Sequence, residues 1–414
     1  MTIKPPDLPS SNSPTLHLLH PTEEEKLKTW KLNGQSWRGR LSMDAYVRRD
    51  QHLANQALTR EGGITYWILV DSSKPPNSRI IFGSCESLRK RALVARGKEP
   101  VREAVSYGIC SVFCNPSLRG RGHALRMMQE LGKRLDLLAQ VDGRTVDFTM
   151  LYSDIGKVNT RISIEATALL IRSQTFYAKA GWMPFTSSQI ALRPVARNEQ
   201  AKATLPDLAY LKAHDLPWLC DFDVRNGIRK GLEKSRADPN VMLVALEPNV
   251  ESIQWHHARE EFVAQELLGK FPEVKGVSLN GMWCIWSHFF GNESNGSGNT
   301  LHILRFFLGD SENGVSNKSD PVIAEKEVAF ETGERIDTVA TLLEAAQHDA
   351  AEWDMHELQI WNPIPIVVAA AQTLDPSVRV VHREEDSIAC LKLHKPDPQI
   401  TKVEWIANEK YGWC

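Results

Sequence analysis

One segment joins an apolar strand to a helix through a glycine-rich turn: SVFCNPSLRGRGHAL, residues 111–125. A helix start leaves its first N–H groups without intrahelical partners and concentrates positive potential, so the backbone alone can hold a pyrophosphate there. Small residues let phosphates approach this turn and arginines add positive charge: Gly120, Gly122, Ala124, Arg119, Arg121 and Arg126. The segment therefore predicts an anion-binding site at a strand-to-helix junction.

The flanking sequence predicts a βαβ unit around this junction. Composition predicts a buried strand at 104–115, and residues 147–154 have the pattern of a second strand. Between them, residues 118–138 combine a glycine-rich front with apolar residues at helical spacing behind it. The turn lacks the Gly-Lys-Ser/Thr ending of a Walker A loop. It also lacks the glycine spacing and the following acidic residue of a dinucleotide fingerprint. Both of these phosphate-binding loops are therefore disfavoured.

A second motif follows the second strand: FYAKAGW, residues 176–182. The turn, Arg119-x-x-Gly122-x-Ala124, resembles motif A of the GNAT acetyltransferases, and FYAKAGW is similar to their Phe-Tyr-x-x-x-Gly-Phe/Trp signature. The resemblance implies the fold class α/β (α+β), a GNAT fold with a mixed central sheet flanked by helices. It also implies acetyl-CoA as co-substrate and no metal.

The same resemblance implies a set of cofactor contacts. In GNAT enzymes the two central strands part at a bulge beside the glycine-rich turn, and the pantetheine arm lies in the gap. The expected contacts with the acetyl and pantetheine groups are Cys110, Ser111, Val112 and Phe113. The expected pyrophosphate contacts are the side chain of Arg119 and the backbone N–H groups of Arg121, Gly122, His123, Ala124 and Leu125.

Three residues are candidates for acid and base catalysis. Tyr177 stands where GNAT enzymes place the tyrosine that protonates the leaving thiolate, although core packing is its alternative role. A lysine ε-amine has a pKa of about 10.4 in water, so a base must take its proton before it attacks. Glu86 near the end of one predicted strand and Asp154 at the end of another are the candidate bases, and either alternatively binds the amine as a counter-ion.

Several further segments narrow the resemblance to the fungal lysine N6-acetyltransferase family: SCESLRK (84–90), LYSDIGK (151–157) and NEKYGWC (408–414). Members acetylate free L-lysine with acetyl-CoA at the start of lysine degradation. The resemblance implies this acceptor for the present chain. The alternatives are a GNAT enzyme acting on protein lysine, histone lysine or a polyamine, and a non-catalytic acyl-CoA-binding protein.

One segment departs from the family pattern: VNTRISIEATALLIRSQ, residues 158–174, stands before the FYAKAGW motif. In the family, the segment before it runs almost directly into that motif. Two interpretations stay open. The insert is a lineage-specific loop with a short apolar helix, or it is an in-frame retained intron, since its first Val and last Gln permit splice-site codons.

A Pro/Ala/Lys-rich segment around 194–207 predicts a linker. The predicted order is a disordered lead-in at 1–14, a GNAT acetyl-CoA-binding domain at 15–195, and a GNAT-like domain at 208–414 that contributes to the acceptor site. The second half repeats the succession of β-hairpin, helix, strand and helix without the glycine-rich turn. Residues 87–103 are basic, and we expect an irregular loop there.

Composition limits the function classes. Lys and Arg number 49 against 51 Asp and Glu, so the net charge of -2 predicts neither nucleic acid nor a membrane surface as partner. The family resemblance implies a small amine as partner. Seven cysteines without metal-ligand spacing, and no apolar leader, predict a cytoplasmic protein with free thiols. Histidines and carboxylates at helical spacing (256–261) predict a helix face in preference to a metal site.

Overall fold

The computed structural model describes residues 8–138, 140–154, 176–197, 208–236, 238–291, 298–309, 332–384, 386–394 and 397–414. The insert at 158–174 and most of the predicted linker lie outside the described residues. No helix of the described part of the chain is long and apolar enough to cross a membrane.

The described residues form two mixed sheets flanked by helices, as the α/β prediction requires. The strands are β1 Leu16–Leu19, β2 Ile64–Asp71, β3 Ile81–Arg96, β4 Arg102–Cys114, β5 Gln140–Val141, β6 Arg144–Ser153, β7 Met183–Pro184, β8 Ser188–Leu192, β9 Ala209–Leu211, β10 Val241–Leu246, β11 Gly276–Leu279, β12 Met282–Phe289, β13 Thr300–Phe307, β14 Glu357–Trp361, β15 Val381–His382, β16 Ile388–Leu393 and β17 Lys402–Trp405. The helices are α1 Glu23–Trp37, α2 Met43–Ala54, α3 His123–Asp136, α4 Leu216–Asp223, α5 Lys230–Ser235, α6 Val250–Leu268, α7 Thr332–Glu352 and α8 Pro365–Leu374. A π-helical turn, Val224–Arg229, joins α4 to α5, and Lys410–Gly412 forms a 3-10 turn.

The first sheet contains the predicted βαβ unit. Its main order is β1-β2-β3-β4-β6-β16-β7, and β4 runs parallel to β6 through the crossover helix α3. The buried side chains of α3 pack against this sheet because they recur at helical spacing: Met127, Met128, Leu131 and Leu135. Thr22 caps the start of α1 and forms a reciprocal capping box with Glu25.

The second sheet has the order β15-β8-β14-β13-β12-β11-β9. Here β13 runs parallel to β14 through α7, which repeats the hairpin, helix and strand succession of the first sheet. Each half of the chain also contributes a strand to the sheet formed mainly by the other half. β8, from before the predicted linker, pairs with β14, and β16, from near the end of the chain, pairs with β6. The division into two domains at the linker stays a prediction, and each sheet draws strands from both sides of it.

The structure corrects three local predictions. The segment predicted as an irregular loop (87–103) is mostly strand, because β3 continues to Arg96 and pairs with β4 on one side and β10 on the other. Glu86 consequently lies within β3 and not near a strand end. Within the lead-in, residues 8–14 form turns with internal hydrogen bonds, and Leu8 packs against the core of the first sheet.

Candidate active site

The two central strands of the first sheet part beside the glycine-rich turn. Parallel pairing between β4 and β6 ends at Ile109 and Leu151, after which β6 continues alongside β16. Ser111 adopts a positive φ of 51°, and the register between β3 and β4 shifts at the same level. A bulge therefore turns the end of β4 away from β6. The space between the two strands corresponds to the gap that the sequence resemblance implies.

The glycine-rich turn has the backbone of an anion site. Gly120 and Gly122 have φ values of 77° and 83°, in the left-handed region where a side chain is strained. Gly122 caps α3 without any side-chain hydrogen bond, so the first N–H groups of the helix have no capping side chain. A β-carbon at Gly122 would lie 2.9 Å from the Ser11 hydroxyl oxygen, so the ordered N-terminal segment runs close to this junction.

The arginine side chains around the turn differ in exposure and in their contacts. Arg121 is exposed, whereas Arg119 donates from Nε to the Cys114 carbonyl at 3.3 Å, and Arg126 pairs with Glu130 at 3.2 Å. His123 is buried, with its ring centroid 4.7 Å from that of Phe82. The backbone N–H of His123 thus remains the group to offer a phosphate, while its imidazole belongs to the core.

A cavity of about 700 Å³ opens where the strands part. It brings together all three predicted catalytic residues, Glu86, Asp154 and Tyr177, with Cys110, Ser111 and Val112 of β4. The other predicted cofactor contacts do not line it. The Phe113 side chain is buried against Trp37, 5.4 Å between ring centroids, and residues 119–125 lie outside the cavity wall.

Glu86 is the carboxylate nearest the bulge. Its Oε2 accepts a hydrogen bond from the Ser111 hydroxyl at 2.9 Å and lies 3.8 Å from the Cys110 sulfur. Burial and the nearby negative charge of Asp50 raise the pKa of Glu86 to about 7, against the opposing effect of the Ser111 and Cys110 hydrogen bonds. A carboxylate with this pKa both accepts and releases a proton near neutral pH.

Asp154 is more firmly engaged than Glu86. Its Oδ1 accepts hydrogen bonds from the Ser387 N–H at 3.0 Å and the Ser387 hydroxyl at 3.2 Å. Burial and the neighbouring carboxylate of Asp386 raise its pKa to about 6. Asp154 and Asp386 both lie on the wall of the cavity.

Tyr177 is buried and lines the cavity, with its ring edge-on to Phe176 at 4.8 Å between centroids. Burial, together with the negative charge of Asp154, raises the pKa of its phenol above the ordinary value. The hydroxyl accordingly stays protonated at neutral pH and has a proton to donate.

The cavity wall formed by α2 and α6 contains residues that sequence reasoning missed. α2 contributes Tyr46, Arg49 and Asp50, and α6 contributes Trp255 and Arg259. No local motif marks these positions, because α2 and α6 meet only in the folded chain. At the surface, an ion pair links the two helices: one guanidinium nitrogen of Arg48 on α2 contacts both carboxylate oxygens of Glu266 on α6, at 2.7 and 2.8 Å.

The histidines and carboxylates of α6 form an interior network. Glu260 is buried and accepts from Lys275 Nζ at 2.8 Å and from the His288 N–H at 2.7 Å. Burial opposes ionisation of both partners, but mutual attraction prevails, so the pKa of Glu260 falls to about 2 and that of His288 rises to about 9. His257 bonds to the Trp286 carbonyl at 2.8 Å. Among the described residues, no group of three or more metal-binding side chains converges.

The chain is similar in sequence to two curated proteins and in fold to a solved structure. A curated relative, the "Lysine acetyltransferase" of Yarrowia lipolytica, is 21% identical over 298 residues, covering 67% of this chain and 71% of the relative. An uncharacterized protein of Saccharomyces cerevisiae is 24% identical over 171 residues, 34% of this chain and 42% of that protein. A solved GCN5-related N-acetyltransferase from Kribbella flavida aligns with a TM-score of 0.45 and 12% identity, over 91% of this chain and 71% of its own.

The matching family model and the curated relative identify the class of the chain as GNAT-type N-acetyltransferases. The model of the LYC1 GNAT-like C-terminal domain matches residues 190–414, more than half of the sequence. The chain belongs to the LYC1-like GNAT family.

Proposed function

We propose that the chain transfers the acetyl group of acetyl-CoA to the ε-amine of free L-lysine, in the cytoplasm, as the first step of lysine degradation. The main support for this proposal is that Glu86, Asp154 and Tyr177 line one cavity at the gap between β4 and β6. The name of the Yarrowia lipolytica relative supports lysine as the acceptor.

The residues at the junction suit acetyl-CoA. Gly120 and Gly122 have no side chains that would block a phosphate just before α3, and the exposed Arg121 supplies positive charge for phosphate groups. The N–H and C=O groups of β4 beyond Ile109 are unpaired with β6 and suit the amides of a pantetheine arm. When bound, acetyl-CoA supplies the thioester whose acyl group is transferred.

Glu86 is the proposed base. The amine enters charged, and Glu86 takes its proton, directly or through water, so that the nitrogen lone pair becomes nucleophilic. The new N–C bond forms at the thioester carbonyl in a ternary complex, without a covalent enzyme intermediate, and the bonded nitrogen then releases its second proton to water. A backbone N–H at the Ser111 bulge donates to the carbonyl oxygen as negative charge develops on it.

Tyr177 is the proposed acid. As the C–S bond breaks, its phenol donates a proton to the departing thiolate and later regains one from solvent. Asp154 is the alternative base. Its bonds to Ser387 and its proximity to Asp386 favour a role in holding the acceptor amine as a counter-ion.

Thiol release from acetyl-CoA tests the proposal, with L-lysine, a histone peptide and spermidine as competing acceptors. We expect L-lysine to give the highest kcat/KM. Preference for the peptide or spermidine would move the proposal to another GNAT specificity. Acetyl-CoA binding without turnover of any amine, and unchanged by Tyr177→Phe, would identify a binding protein instead.

A further inference from the structure

We propose that Arg259 binds the carboxylate of the acceptor, which makes the acceptor class a free amino acid and not a polyamine or a lysine within a protein chain. This inference rests on the proposed function, because it assigns a specificity-determining residue to the same cavity. Arg259 comes from α6, far in sequence from the predicted catalytic motifs.

Among the residues that the structure describes, Arg259 has no ionic partner. It lines the cavity, yet no carboxylate among the described residues lies within 4.0 Å of its guanidinium. Neighbouring Arg49 differs, since its guanidinium donates to the Asp50 carboxylate at 2.7 and 3.0 Å. Burial and repulsion from Arg49 lower the pKa of Arg259 to about 9, which still leaves it charged at neutral pH. An anionic ligand would relieve both penalties.

The surroundings hold the Arg259 side chain in place without neutralising it. Its Cζ lies 5.0 Å from the centroid of the Phe289 ring and 5.5 Å from that of Trp413. The next residue, Glu260, is anchored to Lys275 and His288, which fixes this turn of α6. A planar guanidinium positioned in this way presents a fork of N–H donors that matches a carboxylate.

The cavity also carries groups of the opposite charge. Asp50 and Glu86 are both on its wall, and the charge of Asp50 acts on the pKa of Glu86 and of Arg259 alike. An amino acid with a second amine has one carboxylate and two ammonium groups, so it matches this mixture of charges. A diamine without a carboxylate leaves Arg259 unpaired, which disfavours its binding.

The test compares Arg259→Gln with wild type on two acceptors that differ by the carboxylate, L-lysine and 1,5-diaminopentane. We expect Arg259→Gln to lower kcat/KM for L-lysine on the order of 10²-fold, mainly through KM, while leaving that for the diamine nearly unchanged. Arg259→Lys should restore part of the loss. The matched control is Arg225→Gln, an exposed arginine outside the cavity, which should alter neither acceptor.

Equal losses on both acceptors, or an unchanged KM for L-lysine, would overturn the assignment. Binding separates it from the proposed function. If wild type turns over no amine, the function fails, and calorimetric titration of the full chain with L-lysine and 6-aminohexanoate then decides the role of Arg259. Binding that Arg259→Gln abolishes supports it, and binding of neither compound, or equal binding by both proteins, refutes it.

Discussion

Replacing Glu86 by Gln tests which group takes the proton of the acceptor amine. Glutamine keeps the size and the hydrogen-bonding oxygen that faces Ser111, so the bulge should persist, but it cannot accept a proton at neutral pH. With a pKa of about 7, Glu86 is about three-quarters ionised at pH 7.5. The wild-type enzyme therefore has its base available at that pH.

The magnitude follows from the amine. At pH 7.5 roughly one lysine ε-amine in 800 is neutral, given a pKa of about 10.4. A variant without a base depends on this fraction, so we expect Glu86→Gln to lose about 10²- to 10⁴-fold in kcat/KM at pH 7.5. Its activity should then rise about tenfold per pH unit toward pH 9.5, since the neutral fraction rises in that proportion.

The assay is kcat/KM for L-lysine from pH 6 to 9.5, measured by thiol release at saturating acetyl-CoA. Wild type should rise through an apparent pKa near 7 and then level off. Asp154→Asn is the matched control, because it removes the carboxylate of the alternative candidate base in the same cavity. Parallel profiles for wild type and Glu86→Gln would refute the base assignment, and a tenfold rise per pH unit in Asp154→Asn alone would transfer the role to Asp154.

Three other perturbations have defined outcomes. Gly122→Glu should raise the KM for acetyl-CoA at least 10-fold, because the left-handed φ of 83° is strained for a side chain and a carboxylate repels phosphate. If calorimetry shows unchanged affinity for acetyl-CoA, the phosphate site does not lie at this turn. Tyr177→Phe should lower kcat about 10²-fold with KM for both substrates retained, and an unaltered kcat would leave Tyr177 with core packing alone. For His288, whose folded pKa of about 9 exceeds the unfolded value of about 6.5, the stabilisation by its charge is full below pH 6.5 and lost as pH rises through 9. Urea unfolding should thus show a gap between wild type and His288→Gln that shrinks by about 3 kcal/mol from pH 6 to pH 10, and a gap independent of pH would exclude a charged His288.

The agreement between sequence and structure is closest where structure is local. The helix after the glycine-rich turn and the flanking strands β4 and β6 depend on short-range spacing and backbone preferences. The error at residues 87–103 has a long-range cause. Basic residues suggested a solvated loop, but the second half of β3 gains its pairing from β10, which lies far along the chain.

The sequence alone was sufficient for the class of fold and for the junction that suits a pyrophosphate, since the residues involved are neighbours and glycine at positive φ leaves a local signature. Tertiary structure decided the acceptor side. Arg259 and Asp50 reach the same cavity only when α6 packs on α2. The pairings of β8 with β14 and of β16 with β6 link the two halves of the chain. Such contacts depend on packing between distant segments, which no periodicity within either segment encodes.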